Sequence, residues 1–127
     1  MTENEIGKIV VDRAVNLHIE LGPGLFETVY EVVLAHLLCE AGLKVERQVP
    51  IPIRFRGIEF NEGFRADMVV ENKVIIELKS VESVCKAHKK QVLTYLKLTD
   101  KKLGYLLNFG EELMKDGIFR VLNGHVE

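Results

Sequence analysis

The stretch RADMVVENKVIIELKS, residues 65–80, decides the fold. It reads as two strands joined by a short polar break. With Glu71-Asn72-Lys73 as a three-residue turn, in which Asn tolerates the left-handed conformation, Asp67 falls directly opposite Glu77. Strand alternation then places Asp67, Val69, Ile75, Glu77 and Lys79 on one face. Met68, Val70, Val74, Ile76 and Leu78 take the other, which is wholly apolar. A turn one residue longer or shorter would move Asp67 off the face of Glu77.

This register gathers two carboxylates and an ammonium at one end of otherwise apolar strands. On an open sheet face, Asp67, Glu77 and Lys79 would be a solvated ion-pair cluster. Flanks as apolar as VVENKVIIELKS instead place these strands centrally, where charges need partners or a metal. Paired carboxylates repel, and a hard divalent cation such as Mg²⁺ relieves this. Such a cation orients water and neutralises charge on a phosphate. Lys79, two residues beyond Glu77, would help deprotonate that water or steady the developing oxyanion.

Working outward, Thr2 and Glu5 form a capping box at the start of a first helix. Its face is Ile6, Ile9, Val10, Ala14 and Leu17, and Gly22-Pro23-Gly24 ends it. A second helix is expected from about Phe26 to Ala41, with Val29, Tyr30, Val33 and Leu37 as its buried stripe and Gly42 just past its end. Val45, Val49, Ile51, Ile53 and Phe55 then share one side of an extended run. Pro50 and Pro52 put that strand at a sheet edge, and Ile58–Phe60 begins a return strand. A third helix from about Ser83 to Leu98, with Val92, Leu93 and Leu96 apolar, precedes an apolar strand, Leu103–Phe109. A short turn or helix and a last strand, Gly117–Leu122, complete the order α-α-β-β-β-α-β-β. The expectation is one α/β domain over residues 1–127, a mixed sheet flanked by helices.

The formal net charge of −2 removes any bulk basic attraction, so a nucleic acid partner would be met by a local patch and by cations. Cys39 and Cys85 lack zinc spacing and read as reduced, partly buried thiols. The start of the chain lacks the features of a secretion signal, and no segment has the roughly 18 apolar residues of a membrane span, so a cytoplasmic protein is expected. The apolar edge VPIPIRF is a candidate seam for a homodimer.

Asp67 followed by Glu77-Leu78-Lys79 resembles the motif of the PD-(D/E)xK nuclease superfamily, with Ala66 in place of the proline before Asp67. The segment Gly24-Leu25-Phe26-Glu27-Thr28-Val29-Tyr30 is similar to the G-x-x-E-x-x-Y signature of the GxxExxY family within it. The likeness continues through GFRADMVVE, VIIELKSVE, QVLTYLKLT, YLLNF and DGIFRVLN. It implies a restriction-endonuclease-like core and a nuclease that uses Mg²⁺, or Mn²⁺ in its place, on DNA or RNA. It also implies that Glu27 joins Asp67 and Glu77 at the metal, as a ligand or through metal-bound water; the Leu78 backbone carbonyl would add a further oxygen, since main-chain oxygens also suit hard cations.

Gln91 to Tyr95 is similar to the Q-x-x-x-Y motif of RecB-type nucleases, which assigns Gln91 and Tyr95 to the substrate side. His88 shares their helix face at spacings of three and four. Arg65, two residues before Asp67, is the best placed phosphate or carboxylate partner among the basic residues. The alternative function is a catalytically silent nucleic-acid-binding or protein-interaction module of a repair or defence complex.

Overall fold

The computed structural model describes residues 1–126. Among them, the element order is α1 (Glu3–Leu21), α2 (Glu27–Glu40), β1 (Val45–Phe55), β2 (Ile58–Val70), β3 (Val74–Lys79), α3 (Lys86–Thr99), β4 (Leu103–Asn108) and β5 (Ile118–Leu122). A one-turn 3-10 helix, Met114–Gly117, leads into β5. The expected order is therefore the observed one, with Ile58–Phe60 and Phe64–Val70 forming one continuous strand.

The five strands lie in sequence order in a single open mixed sheet. Only β3 and β4 run parallel, because α3 carries the chain back between them; every other neighbouring pair is antiparallel. β1 is at an edge, where its two prolines can be tolerated. The two faces of β3 explain its apolar run. Met68, Val70, Val74, Ile76 and Leu78 pack beneath α1 and α2, whereas Val69 and Ile75 pack against Val92, Tyr95 and Leu96 of α3. A strand covered on both sides reads as continuous hydrophobic sequence.

Local signals set the element ends. Thr2 and Glu5 make the reciprocal capping box that the sequence implies. Gly42, with φ of 88°, turns the chain away from α2. In the β2–β3 turn, Glu71 and Asn72 are both left-handed, with φ of 54°. Glu71 is held there by its N–H to the Lys44 carbonyl (2.8 Å) and by its side chain, which accepts from the Lys44 N–H (2.6 Å). Helix α3 begins at Lys86 rather than Ser83, with Cys85 as its cap.

Three expectations are corrected. The buried side of α2 is Tyr30, Glu31, Leu34, Ala35 and Leu38, and Val29 is exposed, because the helix is rotated to carry Glu31 inward. Cys39 and Cys85 are both exposed free thiols. The apolar side of β1 is split: Val45 packs with the α1–α2 core, but Val49 and Ile51 pack with α3. Strand β2 divides likewise between Met68 and Ala66. The change of face occurs at Gln48, whose left-handed backbone (φ 53°) interrupts the pairing opposite Asp67. Strict alternation fails wherever a strand residue leaves the β region.

Helix α3 packs close over β4 at Gly104, where an added Cβ would lie 2.8 Å from a Val92 methyl and 3.2 Å from the Ile75 carbonyl. Gly104→Ala is expected to cost about 1–3 kcal/mol, the usual range for overpacking. Urea denaturation, with an unchanged m-value, measures it.

Candidate active site

The site begins where β2 and β3 part. Their register pairs Met68 with Ile76, Val69 with Ile75 and Val70 with Val74, which puts Asp67 opposite Glu77. Beyond Met68 and Ile76 the side chains bridge the two strands. The Asp67 N–H donates to Glu77 Oε1 (2.9 Å), and the Leu78 N–H donates to Asp67 Oδ2 (2.9 Å). Each carboxylate thus satisfies an amide of the other strand, and both are held in fixed directions.

Glu77 is 5% exposed, Asp67 and Lys79 are half-buried. Burial, then the charge of Asp67, pushes the Glu77 carboxyl up to about 8. The Asp67 N–H and Lys79 act in the opposite direction and are outweighed. Tyr95, 3% exposed, comes to the same place from α3. Burial and then the charges of Glu77 and Asp67 raise its phenol to about 12, so it remains a neutral donor. Its ring meets Phe64 at 5.2 Å. Gln91, half-buried, lies one turn before Tyr95.

The other expected members, Glu27, His88 and Arg65, and three further polar residues, His18, Lys89 and Arg54, have these placements. Glu27 is exposed at the first residue of α2. It lines a hollow of about 440 Å³ with Leu25 and Ser80, so it faces the segment just past Lys79. His88 accepts the Cys85 N–H at Nδ1 (3.3 Å) and serves to cap α3. His18 bonds the Glu111 carbonyl through Nε2 (2.8 Å). Arg65 is exposed on β2. Lys89 lies over the Phe119 ring at 4.2 Å, and Arg54 pairs with Glu59.

The GLFETVY segment has a clear mechanical role. The Tyr30 hydroxyl donates to the Gly22 carbonyl (2.6 Å) and accepts the Leu25 N–H (3.1 Å), closing the turn that launches α2. The Ser80 hydroxyl donates to the Leu25 carbonyl (2.6 Å), tying that turn to the end of β3. The Tyr30 ring stacks on Phe109 at 4.4 Å, and the Phe109 N–H donates to the Lys79 carbonyl (2.8 Å).

Four residues escaped the sequence reading. Fully buried Asn108 accepts the Val81 and Gly110 N–H groups (3.1 and 3.0 Å) and donates to the Val81 carbonyl (3.0 Å), fixing the chain beyond Lys79. Its signal was a lone amide inside the apolar run LGYLLNF. Glu31, buried on α2, accepts from Arg47 (2.8 and 2.9 Å) and from Gln48 (2.7 Å). A carboxylate four residues after Glu27, among apolar neighbours, was its signal. Nothing local marks Arg47 or Gln48.

Among the described residues, no three His, Cys, Asp or Glu side chains cluster closely enough to hold a metal ion. Asp67 and Glu77 nevertheless suit a hard divalent cation: both offer oxygen, and burial, then the charge of Asp67, disfavours the Glu77 carboxylate, a penalty that a cation would offset. Backbone oxygen and water would complete such a shell, the arrangement Mg²⁺ favours.

The structure is thus an α/β sheet with helices on both faces, with Asp67, Glu77 and Lys79 gathered where β2 and β3 part and Tyr95 reaching them from α3. The family model of the PD-(D/E)XK nuclease superfamily matches residues 4–121, and the chain belongs to that superfamily. No curated protein is similar enough to match. Among the described residues no helix is long and apolar enough to cross a membrane.

The raised Glu77 carboxyl has a consequence for stability. The folded chain keeps this proton between about pH 4.5 and 8, where the unfolded chain releases it. The Glu77 contribution is therefore greatest at the acid end and is lost as pH rises through that window, by at most about 5 kcal/mol. Glu77→Gln is expected to melt above wild type at pH 8.5 by several degrees more than at pH 5, as read by thermal denaturation without divalent ions. A constant difference across pH would contradict the assignment.

Proposed function

We propose that the chain is a Mg²⁺-dependent nuclease, a phosphodiesterase acting on DNA or RNA, with Mn²⁺ able to replace Mg²⁺. The observation that carries this reading is the in-register pairing of Asp67 with Glu77 at the parting of β2 and β3, with Lys79 next along. The match to GLFETVY supports the narrower placement in the GxxExxY branch.

In this reading Asp67 and Glu77 hold the ion, and the Leu78 carbonyl adds a backbone oxygen. Glu27, facing Ser80 across the hollow, joins directly or through water. An ion held there would supply Lewis acidity and make a water more acidic. Lys79 faces the same space and steadies the charge that builds on the phosphoryl oxygens. Tyr95 keeps its proton and donates to the substrate side, with Gln91 beside it and His88 holding the helix start beneath them. Exposed Arg65 meets a flanking phosphate, a contact that positions without reading sequence.

A second reading, a nucleic-acid-binding or protein-interaction module without turnover, is favoured by one observation. Among the described residues no third carboxylate joins Asp67 and Glu77.

The test uses purified chain with labelled single- and double-stranded DNA and RNA. Cutting is expected with Mg²⁺ or Mn²⁺ and none with chelator. Lys79→Ala is expected to slow cutting by about 100-fold or more, the scale for losing one donor to a developing charge. Its Mn²⁺ affinity by calorimetry should stay near wild type. Undiminished cutting by Lys79→Ala would sink the mechanism, and nucleic-acid binding with no Mn²⁺ binding would favour the second reading.

A further inference from the structure

Gln48 departs from its surroundings in three ways. It lies within β1, yet its backbone is left-handed (φ 53°), a region β-strand residues other than Gly rarely occupy. The ladder skips it: Arg47 pairs with Met68 and Val49 with Ala66, leaving Gln48 opposite Asp67 without regular pairing. Its side chain stands between two carboxylates. Nε2 donates to Glu31 Oε1 at 2.7 Å and lies 3.5 Å from Asp67 Oδ1. Both neighbours are acceptors, so the amide nitrogen must be the group facing them. Glu31 is itself fixed by Arg47, at 2.9 Å to Nε and 2.8 Å to a terminal nitrogen.

We propose that Gln48 is a positioning residue for Asp67: its amide, anchored by the Glu31–Arg47 pair, holds the Asp67 carboxylate toward the ion while leaving its negative charge intact. A lysine or arginine at this place would neutralise Asp67 and compete with a cation. A neutral donor directs Oδ1 without doing so. The other oxygen, Oδ2, is already fixed by the Leu78 N–H (2.9 Å). Asp67 is thus held from both sides, by β3 through its backbone and by β1 and α2 through Gln48. Strained backbone conformations persist where the surrounding structure holds them and concentrate at functional sites. Glycine would relieve the strain at position 48, but it has no amide side chain.

The inference rests on the nuclease reading for its purpose, though not for its geometry, and the experiment separates the two. Gln48→Gly and Gln48→Asn both suit a left-handed backbone; the first lacks the amide, and the second is one methylene too short to span Glu31 and Asp67. Hydrogen exchange of the Leu78 amide is followed by NMR in the full chain without metal, with the Ile75 and Ile76 amides as internal references. Both variants are expected to melt at or above wild type, or within a few degrees below it. Leu78 should exchange at least tenfold faster in each, with Ile75 and Ile76 unchanged. Mn²⁺ affinity by calorimetry should fall at least fivefold. Wild-type exchange at Leu78 in both variants would overturn the proposal. Wild-type protein that binds no Mn²⁺, with Leu78 still accelerated in the variants, would sink the metal reading and leave the positioning role standing.

Discussion

The register of the β2–β3 hairpin is the constraint on which the rest depends. Sliding the strands by one residue would turn every side chain to the opposite face. Both faces of β3 are buried, one under α1 and α2 and the other under α3, so a slip would drive Glu77 into the apolar core beneath α2. The three-residue turn fixes that register, with Glu71 and Asn72 left-handed and Glu71 tied to Lys44. From this single alignment follow the facing of Asp67 and Glu77, the exchange of amide bonds between them, and the raised Glu77 carboxyl.

The surrounding elements hold the end of β3 in place. Tyr30 closes the turn before α2, Ser80 ties that turn to β3, and Asn108 pins the chain after it. Each uses a hydrogen bond to backbone that would otherwise be unsatisfied at a strand or helix end. The Tyr30–Phe109 stack adds a rigid apolar contact between α2 and the chain following β4. A site built this way keeps its geometry without a large domain around it. Burial and the charge of Asp67 favour a proton on Glu77, and a bound cation would take that proton's place.

Much of this was legible in the sequence because it is local. Capping at Thr2 and Glu5, the breaker Gly22-Pro23-Gly24, the alternation across residues 65–80 and the edge prolines each act within a few residues, so spacing alone exposes them. The Asp67–Glu77 facing was legible for the same reason, since one turn length determines it. The sequence reading failed where a residue answers to distant parts of the chain. The rotation of α2 that buries Glu31 and exposes Val29 is set by partners on β1. The change of face within β1 depends on Gln48, whose backbone departs from the strand region while its amide lies between α2 and β2.

The sequence by itself determined the order of elements, the central position of β3 and the pairing of two carboxylates with a lysine. These follow from periodicity and turn chemistry, which operate at short range. Only the tertiary structure decided what stands around that pair. It places Tyr95 beside both carboxylates and Glu27 at the neighbouring hollow rather than among them. It also sets Gln48 against Asp67 and locks Asn108 around Val81. Those placements come from packing helices on a twisted sheet, where residues far apart in the chain meet through the shape of the whole core.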